Sequence, residues 1–168
     1  MMGVGWSVRI ARPEDAAAVS ALLERSYPTL WADHHPPELL AAVIPAVTRA
    51  NPILLASRTF FVAVTPQGDA VGCGGWTREA PGTGEVEEGV GHLRHFATDP
   101  QWLRQGIGAA IVAQSIAGAR EARLTTLMAD SACGAEAFYA AAGFVFERVS
   151  APLIGGVILP GTMMRLSL

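Results

Sequence analysis

Apolar residues recur along this chain with two different periods, and the switches between them mark its elements. Val8-Arg9-Ile10 alternates as a short strand. Pro13 then stands where a first helical turn accepts proline, and Glu14 and Asp15 complement the N-terminal dipole. Val19, Leu22, Leu23 and Ser26 recur at helical spacing, which predicts a helix with one apolar face turned to a sheet. Residues 27–35 read as a loop. A second helix is predicted after Pro36-Pro37, with Leu39, Leu40, Val43, Ile44 and Val47 inward, until Asn51-Pro52 stops it.

The period then becomes that of a strand. Residues 59–64 and 70–73 flank Pro66-Gln67-Gly68-Asp69, an antiparallel hairpin by its turn chemistry and β-branched content. Residues 77–89 hold glycine, proline, Glu85, Glu87 and Glu88 and read as an acidic loop or irregular hairpin. A strand over 90–98 is broken by Asp99-Pro100, and a helix over 106–120 follows with Ile107, Ile111, Val112, Ser115 and Ile116 buried. Residues 124–129 form a strand, 136–142 a short alanine-rich helix ended by Gly143, 144–148 another strand, and 163–168 a last one. No internal repeat or linker interrupts this order, which predicts one α/β domain over 1–168 built on a mixed sheet with flanking helices.

Composition narrows the function classes. At 168 residues the chain can bury roughly 70% of its unfolded surface, enough for a sizeable core. It is 51% hydrophobic and only 16% charged, which excludes a disordered chain and leaves little polar surface, so self-association as a homodimer is expected. No apolar run reaches the roughly 18 residues of a membrane span, and the N-terminus lacks the basic and apolar regions of a signal peptide; no membrane partner and a cytoplasmic location are expected. The net charge of −3 and the absence of a basic block argue against a nucleic-acid partner. All 12 cations are arginine, which removes any phosphate-loop lysine and any Schiff-base mechanism. Cys73 and Cys133 stand far apart and read as thiols rather than a disulfide.

Two segments carry chemistry. Leu103-Arg104-Gln105-Gly106-Ile107-Gly108-Ala109 puts a glycine pair between a strand and a helix, where the first helical N–H groups lack partners and the dipole favours an anion such as phosphate. A dinucleotide fingerprint would need a third glycine where Ile111 stands, which disfavours a nicotinamide or flavin oxidoreductase. Phe138-Tyr139-Ala140-Ala141-Ala142-Gly143-Phe144 ends one helix and begins a strand, and its aromatic pair serves either as core or as part of a site.

Taken together, these segments resemble the GCN5-related N-acetyltransferase superfamily, with its [QR]-x-x-G-x-[GA] signature after a strand. Here Phe96-Ala97-Thr98-Asp99-Pro100 precedes Arg104-Gln105-Gly106-Ile107-Gly108, Phe138-Tyr139 and Gly143-Phe144 follow downstream, and the likeness spans nearly the whole chain. Leu103 departs from the signature's Gln or Arg, and Ala132 stands where many members carry asparagine. The resemblance implies the acyl-CoA N-acyltransferase fold: a mostly antiparallel sheet splayed between its fourth and fifth strands, with the pantetheine arm of acetyl-CoA in the opening. It implies that Phe96, Ala97 and Thr98 line the arm and the acetyl group. It implies, too, that N–H groups of Arg104, Gln105, Gly106, Ile107, Gly108 and Ala109 hold the pyrophosphate. Acetyl-CoA is then the co-substrate and an amine the acceptor, with Tyr139 at the family's phenol position, protonating the departing thiolate; a catalytically silent acyl-CoA-binding domain is the alternative.

The base implied by the same alignment is His92, since histone-acetylating members carry glutamate six residues before the position of Thr98. Its ordinary pKa of about 6.5 suits proton acceptance near neutrality; Glu87 and Glu88 are rivals. His92 and His95 are three apart, and strand alternation turns them to opposite faces, so no metal is expected. His34 and His35 beside Trp31 read as acceptor-site wall or plain surface. Glu85, Glu87 and Glu88, set against Arg104 on the phosphate side, read either as a merely solubilising loop or as an attraction for a cationic amine.

Overall fold

The computed structural model describes residues 5–168, so residues 1–4, and the part of the signal-peptide reading that falls on them, lie outside the described residues. Strand β1 (Ser7–Ile10) leads through a 3-10 turn at Pro13–Asp15 into helix α1 (Ala16–Trp31). The buried face of α1 is Val19, Leu22, Leu23 and Ser26, as its spacing predicts, with Tyr27 added. The helix does not stop there. It runs through Pro28 to Trp31, where a loop was expected, although an internal proline removes a helical N–H bond. Tertiary packing offsets that loss: Tyr27 is buried, and its ring stacks on Trp31 one turn later with centroids 4.5 Å apart.

Helix α2 (Pro37–Val47) follows, but of its five expected inward residues only Val43 is fully buried, because α2 lies against α1 and a late hairpin rather than flat on the sheet. Asn51-Pro52 does more than stop it. The Asn51 side chain accepts from the Ile53 N–H and starts a further short helix, α3 (Pro52–Ala56), which the sequence reading did not contain.

Strands β2 (Phe60–Val64) and β3 (Ala70–Thr77) form the expected hairpin, β3 running four residues further and buried throughout. Residues 77–89 are the irregular hairpin rather than an open loop: Glu79 bridges Val86, and the Ala80 N–H bonds the Glu85 carbonyl at 2.8 Å. Then come β4 (Val90–Thr98), a 3-10 turn at Pro100–Trp102, helix α4 (Ile107–Glu121), β5 (Thr126–Ala132), α5 (Glu136–Ala141) and β6 (Val145–Ser150). A small hairpin of β7 (Leu153–Ile154) and β8 (Val157–Ile158), absent from the sequence reading, precedes β9 (Gly161–Ser167). Its strands are too short to show a period between Pro152 and Pro160.

The main sheet has the order β1-β2-β3-β4-β5-β9-β6 and is antiparallel except where β4 pairs parallel with β5. The last strand thus inserts between β5 and β6, leaving β6 as the edge. One core lies between the sheet and α1, centred on Leu22, Leu23, Phe60, Val62 and Cys73. On the opposite face α4 and α5 cover a second, around Trp76, Leu93, Val112, Leu127 and Phe144, continuous with Ile107 and Ile111.

Candidate active site

The sheet opens at its centre. Pairing of β4 with β5 begins at Val90–Thr126 and ends at His92–Met128, while β5 remains paired with β9 as far as Ala132. Beyond His92, β3 is the strand that still pairs with β4. The Asp99 N–H bonds the Val71 carbonyl at 2.9 Å, so Ala97 and Asp99 turn their backbone groups to β3, and Phe96 and Thr98 present theirs to the open side. Of the three residues expected along the arm, Ala97 therefore faces away from the opening, its side chain in the α1-side core.

A β-bulge shapes this edge. The β3–β4 register shifts between Cys73 and Gly75, so that His95 and Phe96 oppose Gly74, and His95 takes a left-handed φ of 50°. Strict alternation fails across the bulge, and the argument that three-residue spacing turns His92 and His95 to opposite faces does not apply here. Among the described residues no group of three or more His, Cys, Asp or Glu side chains is placed to hold a metal ion. His95 is held neutral, its pKa pushed down to about 4 by burial and by the neighbouring Arg94 cation.

At the end of β4 the chain turns into α4. Gly106 sits at the helix N-cap with φ +83°, a conformation open to glycine, and a Cβ there would meet nothing within 4 Å. The first intrahelical bond runs from the Ala110 N–H to the Gly106 carbonyl, leaving the N–H groups of Ile107, Gly108 and Ala109 free of helical partners. Arg104 is left-handed too, at φ 63°, and Arg104 and Gln105 are exposed. Gly108 is needed for a different reason: a Cβ there would lie 2.8 Å from the Phe138 ring. These open N–H groups and the unpaired β4 edge suit a phosphate-bearing, amide-rich coenzyme.

Aromatic rings fill the mouth on the α5 side. Tyr139 meets the rings of Phe138, Phe144 and Phe96 at 5.0, 5.8 and 6.2 Å. Burial, and secondarily the charge of Asp130 on β5, raise the Tyr139 phenol well above its ordinary range, so it stays protonated at neutral pH. Asp130 itself accepts from the Ser150 hydroxyl.

On the other face His92 is half-buried, and burial followed by the Arg94 charge lowers its pKa while Glu87 opposes the shift. Arg94 donates to the Thr77 hydroxyl at 2.9 Å. Glu85, Glu87 and Glu88 are exposed. His34 packs on Gly134, in the turn between β5 and α5. His35 is buried, its ring set edge-on to Trp31 with centroids 6.2 Å apart, and its Nε2 finds no protein partner. The sequence reading missed Arg94, Asp130 and, above all, Tyr27, whose hydroxyl reaches the Phe96 carbonyl at 3.1 Å. The signal for Tyr27 was present, since it extends the stripe of Val19, Leu23 and Ser26 by one step.

Two surface grooves lie elsewhere, one between residues 10–13 and the end of α3 with Arg58, the other beside the Arg25–Asp99 ion pair. Neither includes Tyr139, His92 or the α4 N-terminus, so the chemistry is assigned to the opening on its donors and phenol rather than on groove size.

The architecture has close counterparts among solved structures. A GCN5-related N-acetyltransferase (aminotransferase, class II) from Rhodopseudomonas palustris is 24% identical with TM-score 0.79, the match covering 100% of this chain and 99% of that one. The PaiA N-acetyltransferase from Thermoplasma acidophilum, in complex with coenzyme A, is 13% identical with TM-score 0.75, covering 99% and 100%. Ard1 from Thermoplasma volcanium is 16% identical with TM-score 0.67, covering 98% and 99%. At these identities the likeness establishes the fold. No curated protein matches the chain. The sequence model of the acetyltransferase (GNAT) family matches residues 16–144, from the start of α1 through Phe144, and so includes the opened strand, the α4 loop and the tyrosine helix. The chain belongs to the acetyltransferase (GNAT) family.

Proposed function

We propose that this protein transfers an acetyl group from acetyl-CoA directly to a primary amine of a small molecule or peptide. The observation that carries the reading is the opening itself, where an unpaired β4 edge, a helix N-terminus with free N–H groups and a neutral buried phenol come together. Bound acetyl-CoA supplies an acyl group activated as a thioester. The N–H groups of Ile107, Gly108 and Ala109, with the helix dipole behind them, hold its phosphates, and the backbone of Phe96 and Thr98 orients the arm. N–H donors on the open edge stabilise the carbonyl oxygen as it gains charge.

His92 accepts a proton from the attacking amine as the new C–N bond forms, and its lowered pKa keeps it neutral and ready to do so. Tyr139 gives its proton to the sulfur as the C–S bond breaks. The coenzyme A bound to the Thermoplasma acidophilum neighbour supports the cofactor assignment. The exposed Glu85, Glu87 and Glu88 support a cationic acceptor, an attraction that salt would screen over about 10 Å at 0.1 M.

The test is free-thiol release from acetyl-CoA across a panel of cationic, neutral and acidic amines, with product mass confirming acetylation. Release with at least one amine is expected. Tight acetyl-CoA binding without release across the panel would instead establish a silent acyl-CoA-binding domain.

A further inference from the structure

The open edge of β4 is gripped from α1. Arg25 Nε donates to Asp99 Oδ2 at 2.9 Å, Ser26 Oγ to the Thr98 carbonyl at 2.9 Å and Tyr27 OH to the Phe96 carbonyl at 3.1 Å. Three successive helix residues thus bond to the end of β4 and to Asp99 just after it. Both carbonyls belong to the residues whose backbone faces the opening, and both hydroxyl-bearing residues are buried, Ser26 completely. The chain's two tyrosines meet at Phe96, Tyr27 through its carbonyl and Tyr139 through its ring.

We propose that Ser26 and Tyr27 are positioning residues that set the open edge of β4 for the acyl-pantetheine arm; this rests on the acetyl-CoA reading above. A strand edge with no neighbour presents carbonyls and N–H groups alike, and its peptide planes can tilt. Here a buried hydroxyl fixes each carbonyl and occupies one of its lone pairs. The Phe96 and Thr98 N–H groups remain as the edge's directed donors, matched to the carbonyl oxygens of an amide- and thioester-bearing ligand. Because the edge is ordered before the ligand arrives, binding does not have to supply that ordering.

The test separates arm from nucleotide. Purified wild type, Tyr27→Phe and Ser26→Ala are titrated calorimetrically with acetyl-CoA and with the arm-less half of the coenzyme, ADP phosphorylated on its ribose. Tyr27→Phe keeps the ring stacked on Trp31, so the fold is preserved. Each substitution should weaken acetyl-CoA by about 3- to 10-fold, the worth of one hydrogen bond, and leave the nucleotide half unchanged. Acetyl-CoA affinity that is unchanged or improved in both variants, or equal losses for the two ligands, would overturn the proposal. A wild-type protein that binds the nucleotide half but gains nothing from the arm would also overturn it. One that binds neither ligand would refute the acetyl-CoA reading beneath it.

Discussion

The loop before α4 and the aromatic mouth beside β4 serve the same opening in contrasting ways. The loop is exposed, rich in backbone donors and shaped by φ: Gly106 has empty space around it. The mouth is buried and shaped by contact, with Phe96, Phe138, Tyr139 and Phe144 packed ring to ring and Gly108 pressed on Phe138. Two glycines only two positions apart therefore answer to different physics. An anion-accepting turn needs little more than local backbone geometry, whereas raising the Tyr139 phenol above its ordinary pKa requires an assembled, desolvating environment.

The sharpest break between the two regions comes from chemistry at the mouth. Tyr139→Phe keeps the ring contacts and removes the proton donor, so kcat should fall by about 100-fold or more with acetyl-CoA Kd little changed. Wild-type turnover in that variant from pH 6 to 9, a span of about three units around neutrality, would reduce Tyr139 to packing. On the opposite face, kcat/KM should rise with pH through an apparent pKa below the 6.5 of a free imidazole, since burial and Arg94 lower that of His92. His92→Ala should remove this limb. A limb that survives would point to Glu87, Glu88 or the acceptor's own ionisation.

The glycines sharpen the comparison at smaller amplitude. Saturating acetyl-CoA, at about 100 times Kd, should stabilise the wild type by roughly 2.7 kcal/mol, or some 5 to 10 °C. Gly106→Val, forced into a left-handed φ, should lose most of that shift by misaiming the loop. Gly108→Val should also lose the shift, by blocking backbone approach, and the Phe138 contact adds a cost in the free protein of about 1–3 kcal/mol from overpacking. Melting curves with and without ligand distinguish them, and identical behaviour of the two variants would erase the distinction.

A further effect, on stability alone, concerns the bulge. The folded protein keeps His95 neutral down to about pH 4, while the unfolded chain takes up its proton near 6.5. Between those values the unfolded state binds more protons, so stability is full above about 6.5 and declines as pH falls toward 4. His95→Asn, which tolerates the left-handed backbone, should flatten that part of a Tm–pH curve. An unchanged slope would mean that the imidazole is solvated.

Sequence patterns marked most of the elements because each depends on local periodicity: the α1 stripe, the Pro66-to-Asp69 hairpin turn, the break at Asp99-Pro100 and the glycine turn into α4. They missed α3 and the β7–β8 pair, which are too short to carry a period, and they ended α1 at Ser26, ahead of Pro28, where the stack of Tyr27 on Trp31 offsets a lost hydrogen bond. Strand alternation also does not carry from His92 across to His95, because the register shift there depends on the pairing with β3 rather than on the period of β4 itself.

By itself, then, the sequence determined the order of the longer helices and strands, the glycine turn into α4 and the residue types available for acid–base chemistry, since these follow from the chain's local periods, turns and side chains. Only the tertiary structure decided where β4 parts from β5, which backbone groups face the gap, that β9 inserts between β5 and β6, and that Ser26 and Tyr27 grip the open edge. Each of these depends on residues far apart in the chain, brought together by burial of the two cores, and no local pattern encodes such a meeting.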